Sequence, residues 1–509
     1  MRFTSLIVEL VRARPRLIFW IVVLLQAAIW FALPVLLYQS PPGDMATVLA
    51  FGREYQVGSH LGPPLAFWAA DIAFRLAGNH LFGIYLLSQI CFVVTFWALF
   101  ALCRSIAGGQ QAILVIFLTA TILAFSFPGV EFGPLILARP IWALILLHAW
   151  QVMGQGRRSA WFALSIEIGL LLLTTYAAIP MLAMLIVFAM STQRGRRMVV
   201  STDSLLAILV VTVLVLPFAI WLLRTNAILA DKLPSIAQLS GRLTDWSGLL
   251  GALLFALTGI AVLLLFNSRR LNRRPEEAPA IYRPPVDPFA RQFVYTFALA
   301  SPIVLSLIAA VYGRDQIVGG DGIALMMTGL AVIIAAGDLI YLRRQQVLRT
   351  VWLVIMALPA LFILGLTLIQ PWTGAGEMKT ALPAGAIGKF FDENYTRRVG
   401  RPLRSVAGDP QISALIGFAS VSRPHVLFDA APEQTPWLTP ARFNETGGVV
   451  VWRAADTAGT PPDDILKHFP GLVPEVPRAF DRMIKGRQAV LRVGWAIIRP
   501  EGVPQQGPQ

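Results

Sequence analysis

The dominant feature of this 509-residue sequence is a series of long apolar runs, many of them near the length that a helix needs to cross a bilayer. Eleven membrane spans are predicted, at residues 17–37, 81–103, 111–127, 134–153, 160–174, 177–190, 204–223, 247–267, 292–312, 322–342 and 351–370. Because 56% of the residues are hydrophobic and only 14% are charged, the composition lies outside the soluble globular range. The predicted fold class is therefore mainly α, a polytopic helical membrane protein with about eleven spans.

Basic residues flank the spans and predict their orientation. The clusters are Arg2, Arg12, Arg14 and Arg16; Arg104; Arg157 and Arg158; Arg194, Arg196 and Arg197; Arg269, Arg270, Arg273 and Arg274; and Arg343, Arg344 and Arg349. Eleven crossings place all of these clusters on one side of the membrane, which predicts a cytoplasmic N-terminus. Anionic membrane lipid then explains the net charge of +14, and nucleic acid is not a predicted partner.

The longest polar gap in the N-terminal half, within residues 38–80, is predicted to be a structured outer loop. Two prolines and Gly43 set up a turn, and Asp44 follows where a helix can begin. Residues 64–78 are amphipathic and too short to cross, which predicts a helix along the membrane interface. Asp71 and Arg75 are four residues apart on it and are spaced to pair.

Charged residues also occur inside or beside the spans. Glu131 lies in the second outer loop, and Arg139 lies about a turn and a half inside the fourth span. An arginine at that depth is costly unless it snorkels to headgroups or meets an anion, and both interpretations stay open. Glu167 lies in the fifth span with no obvious partner, and Tyr176 lies in the break that follows it. A functional role and a structural role for Glu167 are both open.

Residues 371–509 are predicted to form a small α/β extracytoplasmic domain, separate from a membrane domain at 1–370. Strands are predicted at 405–408, 425–428, 448–452 and 489–498, and a helix at 409–418. Asp409 is the predicted N-cap of that helix. Cys91 and Cys103 fall on one predicted helix, three turns apart, so neither a disulfide framework nor a zinc quartet is expected.

The outer loop carries an ordered set of short motifs. They are Asp44, then Phe51-Gly52-Arg53-Glu54-Tyr55-Gln56, then His60-Leu61-Gly62-Pro63-Pro64-Leu65. This order resembles the integral-membrane glycosyltransferases of the C-type fold, in the glycosyltransferase family 39 or aminoarabinose-transferase-like branch. The Pro140-Ile141-Trp142 segment, the break before Tyr176 and the SRPHV segment at 422–426 are also similar to that branch.

The resemblance implies an enzyme that moves a hexosyl or pentosyl group from a polyprenyl-phosphate donor to an acceptor. The acceptor would be lipid A, a polysaccharide or another glycolipid at the outer face of a bacterial inner membrane, with the C-terminal domain in the periplasm. The resemblance also implies that Asp44 is the catalytic base. The implied donor-phosphate residues are Arg53, His60 and Arg139, and the implied sugar contacts are Glu54, Glu131 and Tyr176. The branch also has lysines shortly before Pro63 and at position 175, whereas this chain has none before Pro63 and has Thr175.

Two other functions remain as alternatives. A lipid or sugar transporter is one, because Glu167 and the break near Tyr176 lie in membrane-buried segments. A catalytically inactive family member that acts as a binding partner is the other, because the missing lysines remove positive charge from the implied phosphate site. No cofactor is predicted with certainty, and a divalent metal stays open.

Overall fold

The structure is a computed structural model. It describes residues 9–127, 129–225, 239–268, 280–373, 377–428, 435–454, 456–482, 484, 486–487 and 490–500. The predicted basic residues Arg2, Arg269, Arg270, Arg273 and Arg274 lie outside these ranges, as does residue 489 of the last predicted strand.

Helices occupy most of the first 225 residues. These are α1 (Pro15–Leu37), α2 (Met45–Arg53), α3 (Leu65–Leu76), α4 (Phe82–Ala107), α5 (Gly109–Ala120), α6 (Leu123–Ser126), α7 (Pro134–Met153), α8 (Ala160–Leu172), α9 (Ala178–Ser191), α10 (Gln193–Val199) and α11 (Thr202–Thr225). Helix α7 begins with Pro134 in its first turn, where proline is tolerated because that N–H has no helical partner.

Six further helices and two short strands follow before residue 374. They are α12 (Leu239–Ala256), α13 (Thr258–Asn267), β1 (Ala280–Tyr282), α14 (Pro288–Val311), α15 (Asp321–Ala324), α16 (Thr328–Ala335), β2 (Leu339–Tyr341) and α17 (Gln345–Thr373). Asp287 caps α14, since its carboxylate accepts the Phe289 N–H at 3.2 Å.

Within the described residues, six helices are long and apolar enough to cross a membrane: α1, α4, α7, α11, α14 and α17. The number rises to eight if two bent pairs each count as one span, namely α9 with α10, bent by 110°, and the 242–256 part of α12 with α13, bent by 48°. The other three predicted spans contain shorter apolar helices, α5, α8 and the 321–335 segment. The predicted mainly α membrane fold is confirmed, whereas length and composition support six to eight of the eleven predicted spans.

The predicted span at 322–342 is wrong at its C-terminal end. Strand β2 lies there and pairs antiparallel with β1, with Ile340 opposite Ile281. Gly337, with φ of +94°, precedes the strand in a backbone conformation that glycine adopts without strain. Hydropathy alone does not distinguish a short apolar strand from the end of a helix, which is why the sequence misassigned these residues.

The break between the fifth and sixth predicted spans lies between α8 and α9. The Leu173 carbonyl at this break accepts a hydrogen bond from the Leu65 N–H at 2.9 Å. Thr174 Oγ1 donates to the Leu170 carbonyl at 2.7 Å. These bonds satisfy backbone groups that an interrupted membrane helix leaves unpaired.

The C-terminal region contains a five-stranded sheet within its described residues. Its elements are α18 (Ala384–Val399), β3 (Ser405–Gly408), α19 (Pro410–Ala419), β4 (His425–Phe428), α20 (Pro440–Thr446), β5 (Gly448–Arg453), α21 (Asp463–His468), β6 (Arg478–Phe480) and β7 (Leu491–Ile498). The strand order is β4-β3-β5-β7-β6, with β3 parallel to β4 and β5 and the other pairs antiparallel.

Most of this region was predicted from the sequence. The four predicted strands and the helix are confirmed, and Asp409 caps α19 by accepting the N–H groups of Gln411 and Ile412 at 3.0 and 2.9 Å. Buried Val450 and Trp452 lie in the core beside the sheet. Strand β6 and helices α18, α20 and α21 were not predicted, because each is short or polar outside its buried positions.

Contacts between residues divide the chain into two compact units. The membrane unit comprises Met1–Ala32, Leu61–Leu65 and Tyr85–Phe362. The loop-and-sheet unit comprises Leu33–His60, Ala66–Ile84 and Ile363–Gln509. Most of the outer loop therefore groups with the C-terminal sheet, whereas the sequence prediction assigned it to a 1–370 domain.

Candidate functional site

Asp44 occupies the N-cap position of α2, in the loop-and-sheet unit. Its side chain makes no capping hydrogen bond and is 89% exposed. The nearest ionic partner is Lys379, whose Nζ lies 3.6 Å from Asp44 Oδ1. The carboxylate is thus accessible and is not engaged in holding the helix terminus.

The backbone before Asp44 is held by a segment that we call the strap, residues 378–382. The N–H groups of Gln39 and Ser40 both donate to the Thr380 carbonyl, at 3.0 and 3.2 Å. Ser40 Oγ donates to the Leu382 carbonyl at 2.6 Å, and Ser40 and Leu382 are both buried. The strap therefore fixes the start of the outer loop, and it also carries Lys379.

Helix α2 is anchored by aromatic packing around Phe51. The Phe51 ring lies 5.5 Å from the Phe428 ring and 4.9 Å from the Trp437 ring. Gly52 allows α2 to approach α3 closely, since a Cβ at this position would lie 2.2 Å from the Phe67 carbonyl oxygen. This close approach explains the glycine of the Gly-Arg-Glu-Tyr motif.

Arg53, at the C-terminal end of α2, has an unsatisfied donor. Its Nη1 atom is buried and has no hydrogen-bond partner among the residues that the structure describes. Burial lowers the pKa of the guanidinium from its ordinary value, and the neighbouring Glu54 charge opposes that shift. A partly buried cation with a spare donor is suited to bind an anion, since charge-assisted bonds to phosphate are strong.

The Asp71 carboxylate, in the loop-and-sheet unit, has two ionic partners and one hydrogen-bond donor. Its carboxylate, 0% exposed, lies 2.6 Å from Arg75 Nε and 2.6 Å from Arg423 Nη2. It also accepts the Tyr55 hydroxyl at 2.9 Å. Burial, followed by the hydrogen bond to Asp71, raises the pKa of Tyr55. The predicted Asp71–Arg75 pair is confirmed, while the contributions of Tyr55 and Arg423 were not predicted.

Glu54 and His60 both follow Arg53 in the sequence and have different surroundings. Glu54 Oε1 lies 2.7 Å from His425 Nδ1, and the Glu54 side chain is only 7% exposed. His60 is exposed, and its ring lies 5.3 Å from the Phe51 ring in an edge-on arrangement. Arg423 and His425 both belong to the SRPHV segment, so this segment binds two acids of the outer-loop sequence.

Arg139 lies in the membrane unit, inside α7. Its Nη1 atom donates to the Ala124 carbonyl at 3.2 Å, and its guanidinium lies 5.8 Å from the centre of the Phe125 ring. A cavity beside it is also lined by Ser88, Cys91 and Thr95. Arg139 thus donates to a backbone carbonyl and borders a cavity.

Glu131 and Tyr176 lie in connecting segments of the membrane unit. Glu131 is exposed between α6 and α7. Tyr176 is half-buried between α8 and α9, and its ring lies 6.2 Å from the Phe218 ring. The structure thus places Asp44, Arg53, Glu54 and His60 in the loop-and-sheet unit, and Glu131, Arg139 and Tyr176 in the membrane unit.

Glu167 has a partner that the sequence did not reveal. His148 Nδ1 on α7 lies 2.7 Å from Glu167 Oε1 on α8. The expectation that Glu167 lacks an obvious partner is therefore wrong, because packing between the two helices creates the pair. Among the described residues, no three His, Cys, Asp or Glu side chains form a group that could hold a metal ion.

Comparisons with known proteins agree with this architecture. Residues 62–221 match the family model described as dolichyl-phosphate-mannose-protein mannosyltransferase. The crystal structure of ArnT from Cupriavidus metallidurans bound to undecaprenyl phosphate is similar at 13% identity, with 97% of this chain and 99% of that chain covered and a TM-score of 0.58. ArnT from the same organism in the apo state is similar at 14% identity, with the same coverage and a TM-score of 0.54. No curated protein matches the chain in sequence.

The structural similarity and the family match cover different parts of the chain. The structural likeness covers nearly the whole chain and, at such low identity, shows the fold. The family match covers the part of the chain from Gly62, in the outer loop, to α11. Together they confirm the predicted resemblance, to the family 39 glycosyltransferases in the sequence of residues 62–221 and to ArnT in fold over nearly the whole chain.

Proposed function

We propose that this chain, which resembles the family 39 glycosyltransferases in sequence and ArnT in fold, is an inverting membrane glycosyltransferase that takes a sugar from a polyprenyl-phosphate donor. The observation that carries the proposal is the exposed Asp44 carboxylate at an N-cap that it does not satisfy. A carboxylate that neither caps its helix nor is buried is available to accept a proton from a substrate.

The proposed reaction is a single displacement at the anomeric carbon. The acceptor hydroxyl oxygen attacks that carbon, and its proton passes to the Asp44 carboxylate as the new C–O bond forms. The bond between the anomeric carbon and the phosphate oxygen breaks, and its electron pair stays on the phosphate. The products are the glycosylated acceptor, with an inverted anomeric centre, and polyprenyl phosphate.

The leaving phosphate gains negative charge and needs cationic donors. Arg53 supports this role because its buried Nη1 has no hydrogen-bond partner among the described residues. The exposed ring of His60 is the second proposed donor in the loop-and-sheet unit. In the membrane unit, Arg139 is a separate candidate for phosphate binding because it borders a cavity.

Three residues are proposed to contact the donor or acceptor sugar or to support the site. Glu131 and Tyr176 remain proposed contacts to the donor or acceptor sugar. Glu54 is already paired with His425, which favours a role in holding Arg53 and the end of α2 in place. The proposed acceptor is lipid A, a polysaccharide or another glycolipid, at the outer face of a bacterial inner membrane with the C-terminal sheet in the periplasm.

The test is the Asp44→Asn variant, assayed in membranes with polyprenyl-phosphate sugar donors. Transfer to the acceptor should fall by about a hundredfold or more, because a general base contributes roughly 10²–10⁴ to the rate. Protein level should stay normal, since the Asp44 side chain makes no capping bond. Asp315→Asn, at another exposed acid in a loop, is the matched control and should transfer normally. Unchanged transfer by Asp44→Asn would remove Asp44 from the base role.

Adding the Glu167→Gln variant to this experiment distinguishes the glycosyltransferase from the transporter and the inactive family member. A transporter should lose function in Glu167→Gln and be indifferent to Asp44→Asn, the reverse of the pattern expected here. An inactive family member should transfer no sugar from any polyprenyl-linked donor, even as the wild-type protein.

A further inference from the structure

We infer that Lys379 is a positioning residue that holds the Asp44 carboxylate for sugar transfer; this inference rests on the proposed function. Lys379 comes from the strap, far along the chain from the outer-loop motifs. Its Nζ lies 3.6 Å from Asp44 Oδ1.

The strap gives Lys379 a defined place relative to Asp44. Met378 and Lys379 accept hydrogen bonds from the N–H groups of Ala381 and Leu382, at 3.2 and 3.3 Å, which closes a short 3₁₀ turn over Lys379–Ala381. The Thr380 carbonyl, inside that turn, accepts the two N–H groups of Gln39 and Ser40. The buried Ser40 hydroxyl then ties the same stretch to Leu382. The backbone before Asp44 and the backbone around Lys379 are thus hydrogen-bonded to each other beside the ion pair.

The Lys379 ammonium is an ionic partner of the Asp44 carboxylate. Residues 38–80 contain no lysine, so the outer-loop sequence supplies no ammonium near Asp44. Lys379, which belongs to the strap, provides an ammonium near Asp44. Since Asp44 does not cap α2, its carboxylate has no capping bond to orient it, and attraction to the Lys379 ammonium restricts the directions in which it points.

The exposure of the pair predicts where its effect will be seen. The Lys379 and Asp44 side chains are 51% and 89% exposed. Exposed ion pairs contribute little to folding stability because water and salt screen them. Loss of Lys379 should therefore slow the transfer step and leave the melting temperature unchanged.

The experiment compares Lys379→Gln and Lys379→Arg with wild type in membranes, measuring kcat and KM for a polyprenyl-phosphate sugar donor. Lys379→Gln should lower kcat about tenfold, because small displacements of a catalytic group are costly, with KM for the donor within about twofold of wild type. Lys379→Arg restores the charge and should recover most of kcat. Lys389→Gln is the matched control: Lys389 lies in the same unit, 74% exposed and 3.8 Å from Glu393, and its loss should change neither constant.

A second variant tests the strap without removing the charge. Ser40→Ala deletes the hydroxyl that donates to Leu382 and should lower kcat with KM retained. A wild-type kcat in Lys379→Gln would overturn the inference, as would a loss confined to KM or a failure of arginine to rescue.

The wild-type and Asp44→Asn proteins separate this inference from the proposed function. If wild type transfers sugar and Asp44→Asn does not, while Lys379→Gln equals wild type, only the inference about Lys379 fails. If wild type transfers no sugar, the proposed function fails, and the inference falls with it.

Discussion

At the scale of single residues, Arg53 has a buried donor atom that no described protein group satisfies. Leaving a buried polar group without a hydrogen bond costs about 1–3 kcal/mol, and more when the group is charged. The Nη1 atom of Arg53 is such a group among the described residues. A ligand, an ion or an ordered water can supply the missing partner of such a group.

Replacing Arg53 tests whether an anionic donor is that partner. Arg53→Gln should raise KM for the polyprenyl-phosphate donor by about tenfold or more, which is the loss of one charge-assisted bond of about 1.5–3 kcal/mol. Arg314→Gln, at an exposed arginine, is the control and should leave KM unchanged. Steady-state kinetics in membranes measure both variants, and an unchanged KM in Arg53→Gln would exclude Arg53 as a donor-phosphate ligand.

Asp456 is a second residue whose surroundings predict a measurable property, the pH dependence of stability. Its carboxylate accepts the Thr460 hydroxyl at 2.6 Å and the N–H groups of Gly459 and Thr460 at 2.7 and 3.0 Å. These bonds, led by the one from the Thr460 side chain, hold the pKa of Asp456 below its ordinary value of 3.8. The Gly459 carbonyl in turn accepts a bond from buried Trp452 Nε1, which connects this turn to the sheet.

A carboxyl group with a lowered pKa in the folded state stabilises the protein above its unfolded pKa, and this stabilisation is lost as the pH falls through the folded pKa. The melting temperature of wild type should therefore exceed that of Asp456→Asn at pH 6. The difference should shrink below about pH 4. Thermal melts at several pH values measure it, with Asp464→Asn as the exposed-acid control. A difference that does not change with pH would show that the charge of Asp456 is not responsible.

At the scale of secondary-structure elements, Asp71 is the centre of a network that joins helix α3 to two irregular segments. Tyr55 follows α2, and Arg423 lies between α19 and β4; both have positive φ values, of 47° and 48°. Such backbone angles are strained for residues other than glycine, and they persist where surrounding contacts hold the conformation. The bonds to Asp71 supply those contacts.

Removing the Asp71 carboxylate should destabilise the loop-and-sheet unit strongly. Asp71→Ala leaves Arg423, whose side chain is 13% exposed, without its carboxylate, and breaking a buried pair in this way costs about 3–5 kcal/mol. Arg75→Ala is the comparison: the Arg75 side chain is 51% exposed, so its loss should cost no more than about 1 kcal/mol. Thermal unfolding of the purified protein measures the stability of both variants. Equal losses of stability would contradict the conclusion that the buried Asp71–Arg423 pair contributes more than the exposed Asp71–Arg75 pair.

At the scale of the whole molecule, the proposed function predicts a chemical difference at the cell surface. Cells without this protein should lose a surface glycolipid species and gain one lighter by a single sugar residue. Mass spectrometry of extracted glycolipids measures the mass difference, which identifies the sugar class directly. Expression of wild type should restore the heavier species, and Asp44→Asn should not. An unchanged glycolipid and polysaccharide profile would contradict the proposed substrate class.

The sequence was most informative where structure is encoded locally. Long apolar runs predicted the helices because spanning length and hydropathy are properties of contiguous residues. Asp409 before an apolar stretch predicted a cap for the same reason, and the i, i+4 spacing predicted the Asp71–Arg75 pair. The motif order around Asp44, Arg53 and Pro63 also lies within one stretch, and it indicated the resemblance to glycosyltransferase family 39.

Only the tertiary structure decided which distant residues meet. Lys379 beside Asp44, Arg423 beside Asp71, His425 beside Glu54 and His148 beside Glu167 join different elements, and three of these pairs are more than 300 residues apart. Periodicity shows which face of an element is apolar, but not which other element covers that face. The sequence thus determined the long apolar helices, four strands of the C-terminal sheet and the Asp409 cap, whereas the partners of Asp44, Asp71 and Glu54 follow from how the folded chain packs.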